Sequence, residues 1–159
     1  MSNEEFAQRV ESIRDKLYKT AMLYTGSHSQ AIDALDEAIY KALCGHKRLR
    51  SEEYFDTWIT RILINECYNE MRKNKKLCPI EAVEETATAQ EFDSLPLKEA
   101  VRHLPKSLKD VIILRYFSGF TLAETAGMLG IPQGTAATRQ RKALKLLRLE
   151  LEEEVNYES

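Results

Sequence analysis

At 159 residues, 43% hydrophobic and 30% charged with a formal net charge of -2, the chain has the make-up of a globular protein of one domain or two small ones. That apolar content excludes disorder throughout. There is no charged-then-apolar leader pattern and no run near the ~18 apolar residues of a membrane span, so a cytoplasmic protein with no direct membrane insertion is expected.

The first element is a helix in which Phe6, Val10, Ile13, Leu17, Ala21 and Tyr24 step by three or four, with Ser2 and Glu5 spaced as a capping box and Gly26 as the stop. Ile32, Leu35, Ile39 and Leu43 predict a second helix that packs through these four positions and ends near Gly45. Asp33, Asp36, Glu37 and Tyr40 fall on another side and make an acidic face. After the basic loop Gly45 to Arg50, Ser51 is placed to cap a long third helix with the buried stripe Phe55, Trp58, Ile59, Ile62, Leu63 and Cys67. That helix runs out in the cations Arg72, Lys73, Lys75 and Lys76.

From Leu77 to about Asp93 the periodicity fails. Pro79 stands among Glu81, Glu84, Glu85, Glu91 and Asp93, a composition that predicts a flexible acidic linker repelled by DNA. Helical patterns resume over Leu95 to Leu104 and Pro105 to Phe117. No strand alternation competes. The expected architecture is all-α, with helical domains at 1–76 and 94–159 joined by a linker at 77–93. Each bundle has a thin core, which suits docking on a larger partner.

Thr121 to Arg148 reads as a helix-turn-helix. Thr121 and Glu124 form a second capping box, Gly130 permits a left-handed turn, Pro132 fixes φ at the next helix, and Ala126 is small enough for two helices to cross closely. The second helix carries Arg139, Arg141, Lys142, Lys145 and Arg148 with no acid before Glu150. Thr135, Thr138, Arg141, Lys142 and Lys145 share one face, while Ala136, Ala143, Leu144, Leu147 and Leu151 share the other. One side can pack while the other meets phosphates and base edges.

Other chemistry finds little support. Cys44, Cys67 and Cys78 match neither a disulfide framework nor a zinc knuckle, and His28, His46 and His103 lack partners at metal-ligand spacing. There is no glycine-rich phosphate loop, nucleophile elbow or carboxylate pair. Neither enzymatic activity, cofactor nor metal is expected.

Phe55, Trp58, Arg61, Ile62 and Asn65, followed by Arg72 and Lys73, resemble the F-x-x-W-x-x-R-I-x-x-N signature, with its later basic pair, of bacterial extracytoplasmic-function (ECF) sigma factors. Asp33, Glu37 and Ala42 fit the region preceding it, and Leu104 to Thr135 is similar to region 4 of the same family. The resemblance implies a sigma factor that joins core RNA polymerase and directs initiation. It places the second helix, with Asp33, Asp36, Glu37 and Tyr40, on the β′ clamp helices, and region 4 on the β flap, where Val111 to Phe117 offers apolar surface. It also assigns Thr135, Thr138, Arg139, Arg141, Lys142 and Lys145 to the -35 element. For the melted -10 element the candidates are Lys47, Arg48, Tyr54, Trp58, Asn65, Asn69, Arg72 and Lys73. An anti-sigma factor, often membrane-bound in this family, is an implied partner.

The sequence departs from the family pattern at Ala136, Ala137 and Gln140, where valine, lysine and leucine are expected, and at Asn69 and Glu70, which replace an Asp-Tyr pair. Phosphate anchoring survives these changes; base specificity is less defined. The rival readings are a stand-alone helix-turn-helix regulator, which the carboxyl half alone would permit, and a helical adaptor making only protein contacts.

Overall fold

The structure, a computed structural model, describes residues 1–77 and 95–158, with side chains described to residue 74 and from 96 to 148. Among them every regular element is helical. The chain divides into two compact units, 1–85 and 86–159, a division that falls inside segment 78–94. The predicted linker thus falls almost wholly outside the described residues, as do Cys78 and the side chains of Lys75, Lys76, Leu151 and the acidic stretch from Glu150 to Glu154.

The first unit contains α1 (Asn3–Thr25), α2 (His28–Gly45) and α3 (Phe55–Leu77). Ser2 and Glu5 make the reciprocal capping box, at 2.8 and 3.1 Å, and Gly26 ends α1 in the left-handed region at φ 68°. Ser27 caps α2 by accepting from the Gln30 amide.

The packing face of α2 differs from the predicted one. Ala31, Ala34, Leu35, Ala38 and Ala42 are buried, whereas Ile32 and Ile39 are half-buried and Leu43 is 42% exposed. The buried set recurs every three or four residues, and its four alanines let α2 approach both α1 and α3 closely. The large aliphatics are displaced to the flank of that seam. Size decides which face packs, and a stripe chosen for hydrophobicity alone is turned by about one residue.

Between α2 and α3 the chain makes two short 3-10 turns, His46–Arg48 and Glu52–Tyr54. Ser51 precedes the second turn in an extended conformation and makes no side-chain cap, so α3 starts at Phe55 instead of at Ser51. Its core side is close to the predicted one: Phe55, Ile59, Leu63 and Cys67 are fully buried, Ile64 joins them, and Trp58 and Ile62 are half-buried. Truncating Leu63 to alanine there would cost about 2–5 kcal/mol. Glu66 is buried beside this core and receives Lys41 Nζ of α2 at 2.6 Å and Asn69 Nδ2 at 3.3 Å.

The second unit contains α4 (Leu95–Arg102), α5 (Lys106–Ile112), α6 (Leu122–Leu129) and α7 (Gln133–Glu158), with α7 packed on by the other three. Helix α5 ends in a π turn, Ile113–Phe117, closed by the Ser118 amide on the Ile113 carbonyl at 2.9 Å. Val111 to Leu114 are all buried, while Tyr116 and Phe117 emerge at 51% and 37% exposure.

Candidate nucleic-acid interface

The helix-turn-helix forms as its punctuation predicts. Thr121 Oγ1 accepts from the Glu124 amide at 3.0 Å, and Glu124 Oε1 accepts from the Thr121 amide at 2.9 Å. Gly130 takes φ 68°, and its neighbour Ile131 donates to the Ala126 carbonyl at 3.0 Å. Pro132 leads into α7, its carbonyl accepting from Ala136 at 3.1 Å.

Ala136, Ala143 and Leu147 face inward. Leu144, expected beside them, is 41% exposed, because at ~100° per residue it lies roughly a quarter of a turn from the centre of that seam. On the side away from the core stand Thr138, Arg141, Lys142 and Lys145, all exposed, flanked by half-buried Thr135 and Arg139. Thr138 Oγ1 donates to the Gly134 carbonyl at 3.1 Å and accepts from Arg141 Nη2 at 3.3 Å, which tethers one guanidinium along the face. A row of exposed cations on a helix whose opposite side is locked suits phosphate contact and base-edge reading in a major groove.

Two departures from the family pattern acquire physical reasons. Ala136 is fully enclosed, so a bare methyl fits its place in the seam. Gln140 Oε1 accepts from Arg115 Nε at 3.1 Å, and Arg115 Nη1 also reaches the Phe120 carbonyl at 3.0 Å. Arg115 thereby ties the π turn to α7 and to the approach to α6.

In the first unit the candidate strand contacts divide into two groups. Lys47, Arg48 and Tyr54 are exposed in the loop between α2 and α3. Trp58 is half-buried, with its ring 6.0 Å from that of Phe55 and 3.5 Å from where a side chain at Gly45 would begin. It braces the end of α2. Along α3, Asn65 is exposed, while Asn69, Arg72 and Lys73 form a surface chain: Asn69 donates to Glu66, Arg72 donates to Asn69 Oδ1, and Lys73 pairs with Glu70 at 3.2 Å. Exposed pairs of this kind contribute about 0–1 kcal/mol, so a phosphate can readily draw Lys73 away.

The acidic face of α2 is present: Asp33, Asp36, Glu37 and Tyr40 are all exposed, Tyr40 at 61%. The Tyr40 phenol is held above its ordinary 10.0, first by its hydrogen bond with the Cys44 thiol and then by that thiol's charge. Cys44 is exposed, and Cys67 is enclosed so completely that burial pushes its thiol up to about 12. Of the histidines, His28 bonds the Tyr18 hydroxyl at 2.8 Å, and His46 is buried against Phe6 with its Nε2 3.0 Å from Asn3 Oδ1. Among the described residues no group of three or more metal-binding side chains is arranged around an ion site, and no helix is long and apolar enough to cross a membrane.

Three groups of contacts lay beyond sequence reasoning: Lys41 with Glu66, Arg115 with Gln140, and Arg9 with Glu52. The partners are 25, 25 and 43 residues apart, and no local spacing links them.

Comparison with known proteins gives a consistent result across both units. Residues 9–77 match the family described as Sigma-70 region 2, and residues 100–149 match Sigma-70, region 4. The RNA polymerase sigma factor SigV of Bacillus subtilis is 32% identical over 145 residues, covering 89% of this chain and 87% of that protein. The ECF RNA polymerase sigma factor SigM of Mycobacterium tuberculosis is 30% identical over 132 residues, covering 80% and 67%. Among solved structures, the sigma factor RpoE of Bartonella quintana, in complex with the anti-sigma factor NepR, aligns with a TM-score of 0.78 at 24% identity over 94% of this chain and 98% of its own. CnrH, solved with the cytosolic domain of CnrY, gives 0.78 at 18% identity, over 95% and 90%.

Proposed function

The chain belongs to the ECF family of RNA polymerase sigma factors and directs promoter-specific initiation of transcription; we propose that it divides promoter recognition between its two units, with α7 on the -35 duplex and the α2–α3 loop and α3 on the opened -10 strand. The observation that carries this division is the exposed face of Thr138, Arg141, Lys142 and Lys145 on α7, backed by the enclosed Ala136, Ala143 and Leu147. Thr135 and Arg139 flank the contact. In the first unit Lys47, Arg48, Asn65, Asn69, Arg72 and Lys73 supply phosphate and edge contacts. Tyr54, 58% exposed, offers a ring on which an unpaired base can stack, and Trp58 holds the loop beneath it.

Asp33, Asp36, Glu37 and Tyr40 dock on a basic surface of core polymerase, the β′ clamp helices, and the emergent Tyr116 and Phe117 meet the β flap. The chain carries no catalytic site of its own; the polymerase makes every bond. It works beside that enzyme in the cytoplasm. An anti-sigma protein restrains it by covering the polymerase-facing surfaces, a reading supported by the partners named for RpoE and CnrH.

Run-off transcription with core polymerase, followed by mapping of start sites, tests the reading. Initiation from defined promoters only when chain and core are combined is expected. Tight sequence-specific binding of duplex by the chain alone would favour a stand-alone regulator, and transcription unchanged by Arg141→Ala with Lys145→Ala would favour an adaptor.

A further inference from the structure

The loop between α2 and α3 is tied to the first turns of α1 at both of its ends. At its start, His46 is 2% exposed, stacks on Phe6 with ring centroids 4.8 Å apart, and meets Asn3 Oδ1 through Nε2 at 3.0 Å. An amide oxygen can only accept, so Nε2 carries the proton in this contact. At its end, Arg9 Nη2 donates to the Glu52 carbonyl at 3.0 Å, its Nη1 lies 3.9 Å from the Glu52 carboxylate, and its guanidinium sits 4.9 Å over the Phe55 ring. Phe6 completes the circuit edge-on to Phe55 at 5.8 Å. Between the two anchors stand Lys47, Arg48 and Arg50, all exposed.

A loop that must grip an unpaired strand gains most when its conformation is fixed before the strand arrives, since ordering it afterwards subtracts from affinity. We infer that the first turns of α1 position the strand-gripping loop, with Asn3 and Arg9 as positioning residues that act through His46 and Glu52 and touch no DNA themselves. This rests on the assignment of that loop to the opened -10 strand. The clasp is separate from the acidic face of α2, so it governs promoter opening without governing attachment to polymerase.

The test uses holoenzyme reconstituted from core polymerase and the full chain, on a promoter obtained by the start-site mapping above. Two quantities are measured: affinity for core, and permanganate reactivity of unpaired thymines on the duplex promoter and on one pre-opened across the -10 segment. Asn3→Ala with Arg9→Ala should lower opening of the duplex about fivefold, as expected for loss of one or two modest polar contacts. Core affinity should stay the same, and most of the loss should be recovered on the pre-opened promoter. Asn3→Asp, which keeps an acceptor for Nε2, should restore the Asn3 contribution. Unchanged opening by the double variant overturns the inference, and so does a parallel loss of core affinity and opening, which would mark the clasp as a fold element only. Should the alanine variants fail to fold, Arg9→Lys decides: it keeps the charge but loses the fork that reaches carbonyl and carboxylate together, and opening slowed about twofold at unchanged core affinity is expected. No slowing overturns the inference. A wild-type holoenzyme that opens no promoter would instead sink the sigma assignment beneath it.

Discussion

Helices α2 and α7 sit in different units, yet both pack through small residues and expose what remains. Helix α2 turns Ala31, Ala34, Ala38 and Ala42 inward with Leu35, and α7 turns Ala136 and Ala143 inward with Leu147. Outward they differ in sign: α2 offers Asp33, Asp36 and Glu37, α7 offers Arg141, Lys142 and Lys145. The same device, a close alanine seam, frees nearly the whole opposite face for a partner, and charge then selects which kind. Phosphates attract cations such as those that α7 exposes; an acidic face is repelled by DNA and complements a basic protein surface. A short chain can thus present two interfaces from two thin cores.

The largest effect should come from removing charge on α7. Arg141→Ala with Lys145→Ala leaves the packed side intact and deletes two exposed cations. Run-off transcription should fall at least about tenfold, and the slope of log affinity against log salt for holoenzyme on duplex promoter should shrink by about 2. Thermal stability should move by less than about 0.5 kcal/mol. Were transcription to survive with its salt dependence intact, α7 would not be the DNA-facing partner in the comparison.

On α2 the seam and the flank can be separated. Ala38→Leu adds three carbons at a fully enclosed position of the seam that α2 makes with α1 and α3, and should destabilise by about 1–3 kcal/mol in denaturant unfolding. Leu43→Ala truncates a side chain already 42% exposed and should cost much less, even though leucine is the more apolar residue. A larger loss from Leu43→Ala than from Ala38→Leu would restore the predicted stripe and dissolve the likeness to α7.

The seam also has a pH signature. In the unfolded chain the Cys67 thiol ionises near its ordinary 9.0, whereas in the fold burial holds its proton until about 12. Between those values the native state binds more protons, so stability should fall as pH rises through that window. Lys41 acts in the same direction: its hydrogen bond and charge contact with Glu66 raise its pKa above 10.5, giving a contribution present below 10.5 and lost as pH climbs through the higher folded value. Cys67→Ala should flatten the decline that sets in above pH 9.0 in unfolding curves, and Glu66→Gln should flatten the part above 10.5, both by releasing Lys41 and by removing a charge that helps hold the Cys67 proton. A decline of equal steepness in Cys67→Ala would locate the titration elsewhere.

How much of this was legible beforehand follows from the range of the forces concerned. Caps and turns are local, so Ser2 with Glu5, Gly26, Thr121 with Glu124 and Gly130 could be read directly and all formed. The basic face of α7 was legible because like charges recur at helical spacing. The packing face of α2 is not legible in this way, because closeness outweighs hydrophobic strength in its seam, and Leu144 stays outside the α7 seam for the same reason. The start of α3 differs from the expected one because Ser51 satisfies a cap pattern whose geometry the 3-10 turn denies. The α1 clasp on the loop could not be seen at all, since Asn3 and His46 meet across 43 residues of chain.

The smallest predicted effect has the opposite sign and concerns the support behind α7. Thr125, on α6, is fully enclosed and its Oγ1 finds no hydrogen-bond partner among the described residues, whereas the buried Glu66 behind α2 is bonded by both Lys41 and Asn69. A hydroxyl taken out of water without a partner opposes folding, and valine has nearly the same shape without it. Thr125→Val should therefore raise stability, by about 1 kcal/mol or less, as a higher denaturant midpoint at unchanged slope. Run-off activity should be unaltered, because the exposed face of α7 is untouched. If the substitution destabilised instead, the hydroxyl would have to be bonded, and the polar bookkeeping behind the two helices would be alike where the structure makes it differ.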